Sequence, residues 1–164
     1  MNTVMSYSLS QKLLHWLMAA FIFYNLLFAD GMEHTIHAIE RGTQPEAGDL
    51  FWANVHAYVG IAVAALAVLR LLLRFTQGAP DAPAAEPMAA RIGAKIAHVA
   101  LYAAFFLMPL LGIGKYYFGN DAMGDLHSGP VKVVLWALIG VHIAGVVVHQ
   151  FVWRTNLIRR MTTA

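Results

Sequence analysis

Val131–Trp153, VKVVLWALIGVHIAGVVVHQFVW, is a run of 23 residues that is apolar almost throughout yet carries His142 and His149. At ~1.5 Å per residue a helix of this length reaches about 34 Å, enough to cross a hydrocarbon core of roughly 30 Å. The stretch reads as a membrane-spanning helix. Seven residues at ~100° each return to within about 20° of the starting direction, so an unbroken α-helix puts both imidazoles on one face, two turns and roughly 10 Å apart. Ionisable groups inside a span are costly and usually face a bundle interior, a cofactor or an ion path. Two histidines on one face therefore call for partners elsewhere in the chain.

The composition agrees with a membrane chain. Of 164 residues 59% are hydrophobic and 12% charged, with mean hydropathy +0.59, and a soluble domain of that make-up would expose too much apolar surface. The expected fold class is all-α, an integral membrane four-helix bundle forming a single domain over residues 1–164. Cysteine is absent, which excludes disulfides, cysteine-ligated iron–sulfur clusters, thiolate zinc sites and covalently attached c-type haem. Any metal centre must use His, Met or carboxylate. Eight histidines in so apolar a chain need explaining.

Four spans are expected, at about 9–29, 50–73, 95–117 and 131–153. The first, within KLLHWLMAAFIFYNLLFA, carries His15 and Trp16 near its start; a secretory signal peptide is the competing reading, but no small-x-small cleavage site follows it. Asp30 to Asp49 is polar, with Gly42, Pro45 and Gly48 as turn formers, and reads as an extramembrane loop. His34, His37 and Glu33 in it form a weak metal signal, and a solvated amphipathic turn is the plainer reading. The second span carries His56 with Gly60 one turn later on the same face, where a missing side chain would leave room for a flat ligand or for helix packing. It closes on Arg70 and Arg74, one turn apart. The proline-rich Thr76–Pro87 loop leads to the third span, with His98 and with Pro109, which is expected to kink the helix. Asn120–Pro130, with His127, reads as a short polar loop.

Charge sets the expected orientation. Lys12, Arg70, Arg74, Arg91, Lys95, Arg154, Arg159 and Arg160 fall on one side, against only Asp81 and Glu86; Arg41, Lys115 and Lys132 fall on the other among the remaining acids. The positive-inside rule places both termini of this multi-pass chain in the cytoplasm. His15 and His149 then share a cytoplasmic depth, and His56 and His142 share an outer one. Two His pairs at two depths suit two six-coordinate iron porphyrins, whose axial positions neutral imidazoles fill without burying side-chain charge. Such ligation leaves no open iron site and favours electron transfer. A proton relay would ask for Asp or Glu within the spans, and none lies there.

At this point LLHWL at His15, NVHAYVG at His56, VLRLLLRF, AHVALYAAFFLMPLLG and above all GVHIAGVVVHQFVWRTNLIRRM resemble the bacterial cytochrome b561 family, related to the cytochrome b subunits of membrane-bound hydrogenases and formate dehydrogenases. The resemblance covers essentially the whole chain. It implies a four-helix protein with two haem b groups that exchanges electrons with ubiquinone, and it carries axial ligand roles onto His15, His56, His142 and His149. Some members are described as superoxide oxidases. The related complex subunits space the two histidines of their last helix by about four turns; the spacing of seven residues here departs from that and favours the stand-alone branch.

His98, Arg70, Arg74 and Lys95 are candidate contacts for a haem propionate or a quinone carbonyl at the cytoplasmic side, although positive-inside topology alone accounts for most of these charges. Two functions are weighed. One is an oxidoreductase passing single electrons from a small periplasmic donor, such as superoxide, to ubiquinone. The other is an electron-conduit subunit docked to a dehydrogenase or hydrogenase, which would want longer outer loops. Membrane lipid is an expected partner and nucleic acid is not.

Overall fold

The structure is a computed structural model describing residues 6–83 and 86–162. Among these residues every regular element is helical: α1 (Leu9–Leu27), α2 (Asp30–Glu40), α3 (Ala47–Gln77), α4 (Met88–Phe118), α5 (Asp121–Ser128), α6 (Pro130–Val147), a π-helical turn at Val148–Val152, and α7 (Leu157–Thr162). Ser8 opens α1 as a capping box: its hydroxyl accepts from the Gln11 backbone amide, and the Gln11 side chain accepts from the Ser8 amide. α4 runs through Pro109 as one element and ends at Gly119, whose φ of 66° is the left-handed conformation glycine tolerates.

Two expectations change here. The polar stretch Asp30–Asp49 is not all loop, because Asp30 and Glu33 in the first turn favour the helix start and α2 forms. It bends 47° away from α1. Gly31 permits its close packing on α3, since a Cβ there would lie 2.6 Å from the Trp52 Cβ. Asn120–Pro130 is likewise helical. The Asn120 side chain caps α5 by accepting from the Met123 amide, and Pro130 then takes the first position of α6, where a missing N–H costs nothing. The fourth apolar rod therefore starts at Asp121, about ten residues earlier than hydropathy alone places it.

α3 packs against α1, α2 and α4, and α4 packs against α5 and α6. Met18 and Ile22 of α1 interlock with Val63 and Ala67 of α3; Leu101 and Ala104 of α4 meet Leu135 of α6. Small Ala67, fully buried, lets the backbones approach. The outer surface carries Phe75, Val99, Val133 and Val141, while Gln11, Lys12, Glu86 and His149 are buried. That inversion is proper to a bundle solvated by lipid. Three helices are long and apolar enough to cross a membrane, and a fourth is gained when α1 and α2 count as one bent span. The protein is an integral membrane helical bundle with one basic end, where α1 begins and α3 finishes, and one acidic end, where α2 and α5 lie.

Candidate functional site

At the acidic end α3 presents His56 and α5 presents His127, with ring centroids 6.1 Å apart. The Nδ1 of His127 lies 2.9 Å from the Met108 carbonyl. A carbonyl can only accept, so Nδ1 carries the hydrogen and Nε2 keeps its lone pair, the tautomer of a metal-ligating imidazole oriented by a backbone oxygen. Gly112, one turn beyond Met108, makes this possible: a Cβ there would sit 3.1 Å from the His127 Cε1. The His56 carbonyl accepts from the Asn25 amide at 3.0 Å, tying α1 to the ligand-bearing turn of α3. Its own Nδ1, and Asn25 Oδ1, are buried with no hydrogen-bond partner among the described residues. Both residues line a cavity of about 560 Å³ with Gly60, Phe105, Gly112, His127 and Lys132. Buried polar atoms are seldom left unpaired, so this cavity has the character of a ligand site.

Residues of α2 roof the cavity. Lys115 of α4 donates to Glu40 of α2 and to Asp121 of α5, each at 2.7 Å, and thereby ties three elements at the mouth. The Lys115 ammonium holds the exposed Glu40 carboxyl below its usual range. His34 pairs with Asp49, and His37 lies beside Glu33 and Glu40. No group of three His or carboxylate side chains placed to hold a metal ion occurs among the described residues.

The basic end is built differently. His15 of α1 lies against His142 of α6 at 6.2 Å between ring centroids, and His98 of α4 reaches the same His142 at 5.6 Å. Arg70 donates to the Nδ1 of His15. Arg70 and Arg74 share a narrow space with Tyr7, Gln11 and Tyr102, and Lys95 is exposed one turn before His98.

The pairs read from depth, His15 with His149 and His56 with His142, are not those that meet. The rod beginning at Asp121 puts His127 at the level expected of His142, and lowers His142 to the level of His15. His149 falls in the π-helical turn Val148–Val152 that follows α6. His149 is buried there with both ring nitrogens engaged: Nδ1 is 2.9 Å from the Thr155 hydroxyl and Nε2 is 3.4 Å from the buried Glu86 carboxylate. His127, passed over within a polar loop, had one signal. It precedes His142 by 15 residues, close to four turns.

An iron bonded at ~2 Å to two imidazole nitrogens, each ~1.1 Å from its ring centre, sets the ring centroids roughly 6 Å apart. The 6.1 Å and 6.2 Å pairs both meet that requirement. The acidic-end residues fit haem in tautomer, room and spacing. The basic-end pair fits in spacing, but a neutral His15 that accepts at Nδ1 carries its hydrogen on Nε2, so ligation through Nε2 requires Arg70 to turn away.

Imidazoles in facing pairs within a membrane bundle are what noncovalent haem of the b type requires. The chain belongs to the prokaryotic cytochrome b561 family, whose profile matches residues 6–164. It is 27% identical over 158 residues to cytochrome b562 of Cereibacter sphaeroides, covering 94% of each chain. No solved structure matches it. Family membership gives a membrane haem b protein that transfers electrons.

Proposed function

We propose that this protein carries two haem b groups, one between His56 and His127 and one between His15 and His142, and passes single electrons from a small donor at the acidic end to ubiquinone at the basic end. The observation that carries the reading is the repetition of one spacing, 6.1 Å and 6.2 Å, at opposite ends of the bundle. Haem supplies a one-electron couple when bound. His56 with His127, and His15 with His142, would hold the two groups, and ligation by two imidazoles each would suit electron transfer rather than oxygen binding. By the positive-inside rule the basic end faces the cytoplasm of the bacterial inner membrane and the acidic end faces the periplasm. Superoxide suits the donor role, since each of two superoxide anions gives up one electron to leave dioxygen while the quinone takes two electrons and two cytoplasmic protons. His98, Arg70, Arg74 and Lys95 offer donors to a quinone carbonyl or to a propionate at that end.

The test is haem quantification and redox titration of the purified protein, with superoxide consumption and ubiquinol formation followed together. Two low-spin haems per chain and about two superoxides consumed per ubiquinol are expected, as the electron balance demands. One haem per chain would defeat the two-site reading. Two haems without superoxide-driven quinone reduction would defeat the proposed donor and favour a conduit role.

A further inference from the structure

Three cations lie toward the acidic end, and the structure separates them. Arg41 sits exposed at the C-terminus of α2 and does not line the cavity. Lys115 lines it, but its ammonium is committed to Glu40 and Asp121 at 2.7 Å each. Lys132 lines it as well, from the first turn of α6, and makes no ion pair or hydrogen bond among the described residues. It is exposed as well as lining the cavity, and it follows His127 by five residues on the same rod. Of the acids in the same lining, Glu40 is satisfied by Lys115, Glu33 lies 3.8 Å from the His37 ring, and the exposed Asp125, seven residues before Lys132 on the same rod, makes no ion pair among the described residues. An anionic group entering this cavity therefore meets one uncommitted ammonium.

We propose that Lys132 is the anion-holding residue of the acidic-end cavity, binding a small carboxylate or oxyanion at its mouth. The ligand is either the propionate of a haem held by His56 and His127 or a free anionic donor such as superoxide; the inference rests on the haem reading above. A propionate is anionic and avoids hydrocarbon, so the open side of the cavity is where it belongs. A free anion approaching a rim of carboxylates is repelled at a distance and needs a local cation to settle.

The experiment compares parent, Lys132→Gln and Lys132→Arg proteins, purified with haem, by redox titration and by the rate of reduction with superoxide at low and high salt. If Lys132 holds a propionate, Lys132→Gln lowers the midpoint potential of one haem, leaves the other unchanged, and Lys132→Arg titrates as the parent does. If it holds the free anion, both potentials stay fixed while reduction by superoxide at low salt slows about threefold, the weight of one unit charge ~7 Å away in water, and the difference fades at high salt. Either result supports the anion-holding role, and the pair distinguishes its source. Unchanged potentials together with unchanged rates overturn it. A parent with a single haem would defeat the two-site reading alone, because the response of that haem to Lys132→Gln still decides this one.

Discussion

The two ends of the bundle assemble imidazoles by opposite means. At the acidic end two rings meet across a cavity, one is fixed in tautomer by the Met108 carbonyl, and Gly112 clears its path. At the basic end His15 and His98 both face His142, at 6.2 Å and 5.6 Å between ring centroids, and Arg70 holds the nitrogen of His15 whose hydrogen ligation would require. A haem at the first would find two imidazoles and a single arrangement. The second offers three for two and must be resolved by moving a side chain. Pre-organisation is therefore unequal, and binding at the acidic end gives up less of its interaction free energy to rearrangement.

The largest effect expected is the loss of a whole centre. His56→Ala or His127→Ala should reduce haem from two per chain to about one, since noncovalent haem held by a single imidazole dissociates readily. His149→Ala should keep both, because its ring serves Glu86 and Thr155. Pyridine haemochrome assay of the three variants checks this. Retention of two haems by His127→Ala with loss of one in His149→Ala would restore the pairing read from depth alone.

A smaller effect is expected where ligands are redundant. His15→Ala should weaken the basic-end haem without emptying it in every molecule, as His98 stands 5.6 Å from His142 and can substitute. His98→Ala should leave both haems in place. Arg70→Met, by removing a cation beside this site, should lower the midpoint potential of the basic-end haem and spare the other. Equal responses of both haems to Arg70→Met would erase the contrast between the ends.

The smallest effect concerns the bridge over the acidic-end cavity. Lys115 depresses the Glu40 pKa, so native Glu40 remains charged where the unfolded chain binds a proton. Its stabilisation is complete above the ordinary glutamate value of 4.5 and is lost as pH falls through the lower native value. Glu40 is exposed, so the contribution is slight. Thermal melting of Glu40→Gln should fall just below the parent at about pH 7, and the gap should narrow as the pH is lowered past 4.5. A gap that widens in acid would show that the bridge acts through something other than this carboxylate.

The sequence made the long apolar helices legible, because length and hydropathy suffice for them. It also singled out His15, His56, His142 and His149 as chemically exceptional within spans. It did not reveal His127, since Asn120, Asp121, Asp125 and Gly129–Pro130 together read as a loop with a helix stop. Proline tolerates only the first helical turn, and here it sits in that turn, so the apparent stop is a restart. The same-face argument for His142 and His149 did not foresee that Thr155 and Glu86, beyond the span, take both nitrogens of the His149 ring. The four-turn spacing from which His149 departs is nearly met once His127 is taken as the partner of His142 on the same rod.

That rod, α5 followed by α6, carries one imidazole toward each end, and so acts as a ruler for the molecule. Its tolerance to insertions and deletions should be sharply periodic. One residue added between Pro130 and His142 turns everything beyond it by ~100° and advances it ~1.5 Å, which points the imidazole away from His15. Seven added residues return the azimuth to within about 20° yet lengthen the rod by roughly 10 Å, a third of the hydrocarbon thickness. No length change between these histidines satisfies both angle and reach, so across descendants of this gene the interval from His127 to His142 should vary in residue identity and hardly at all in number.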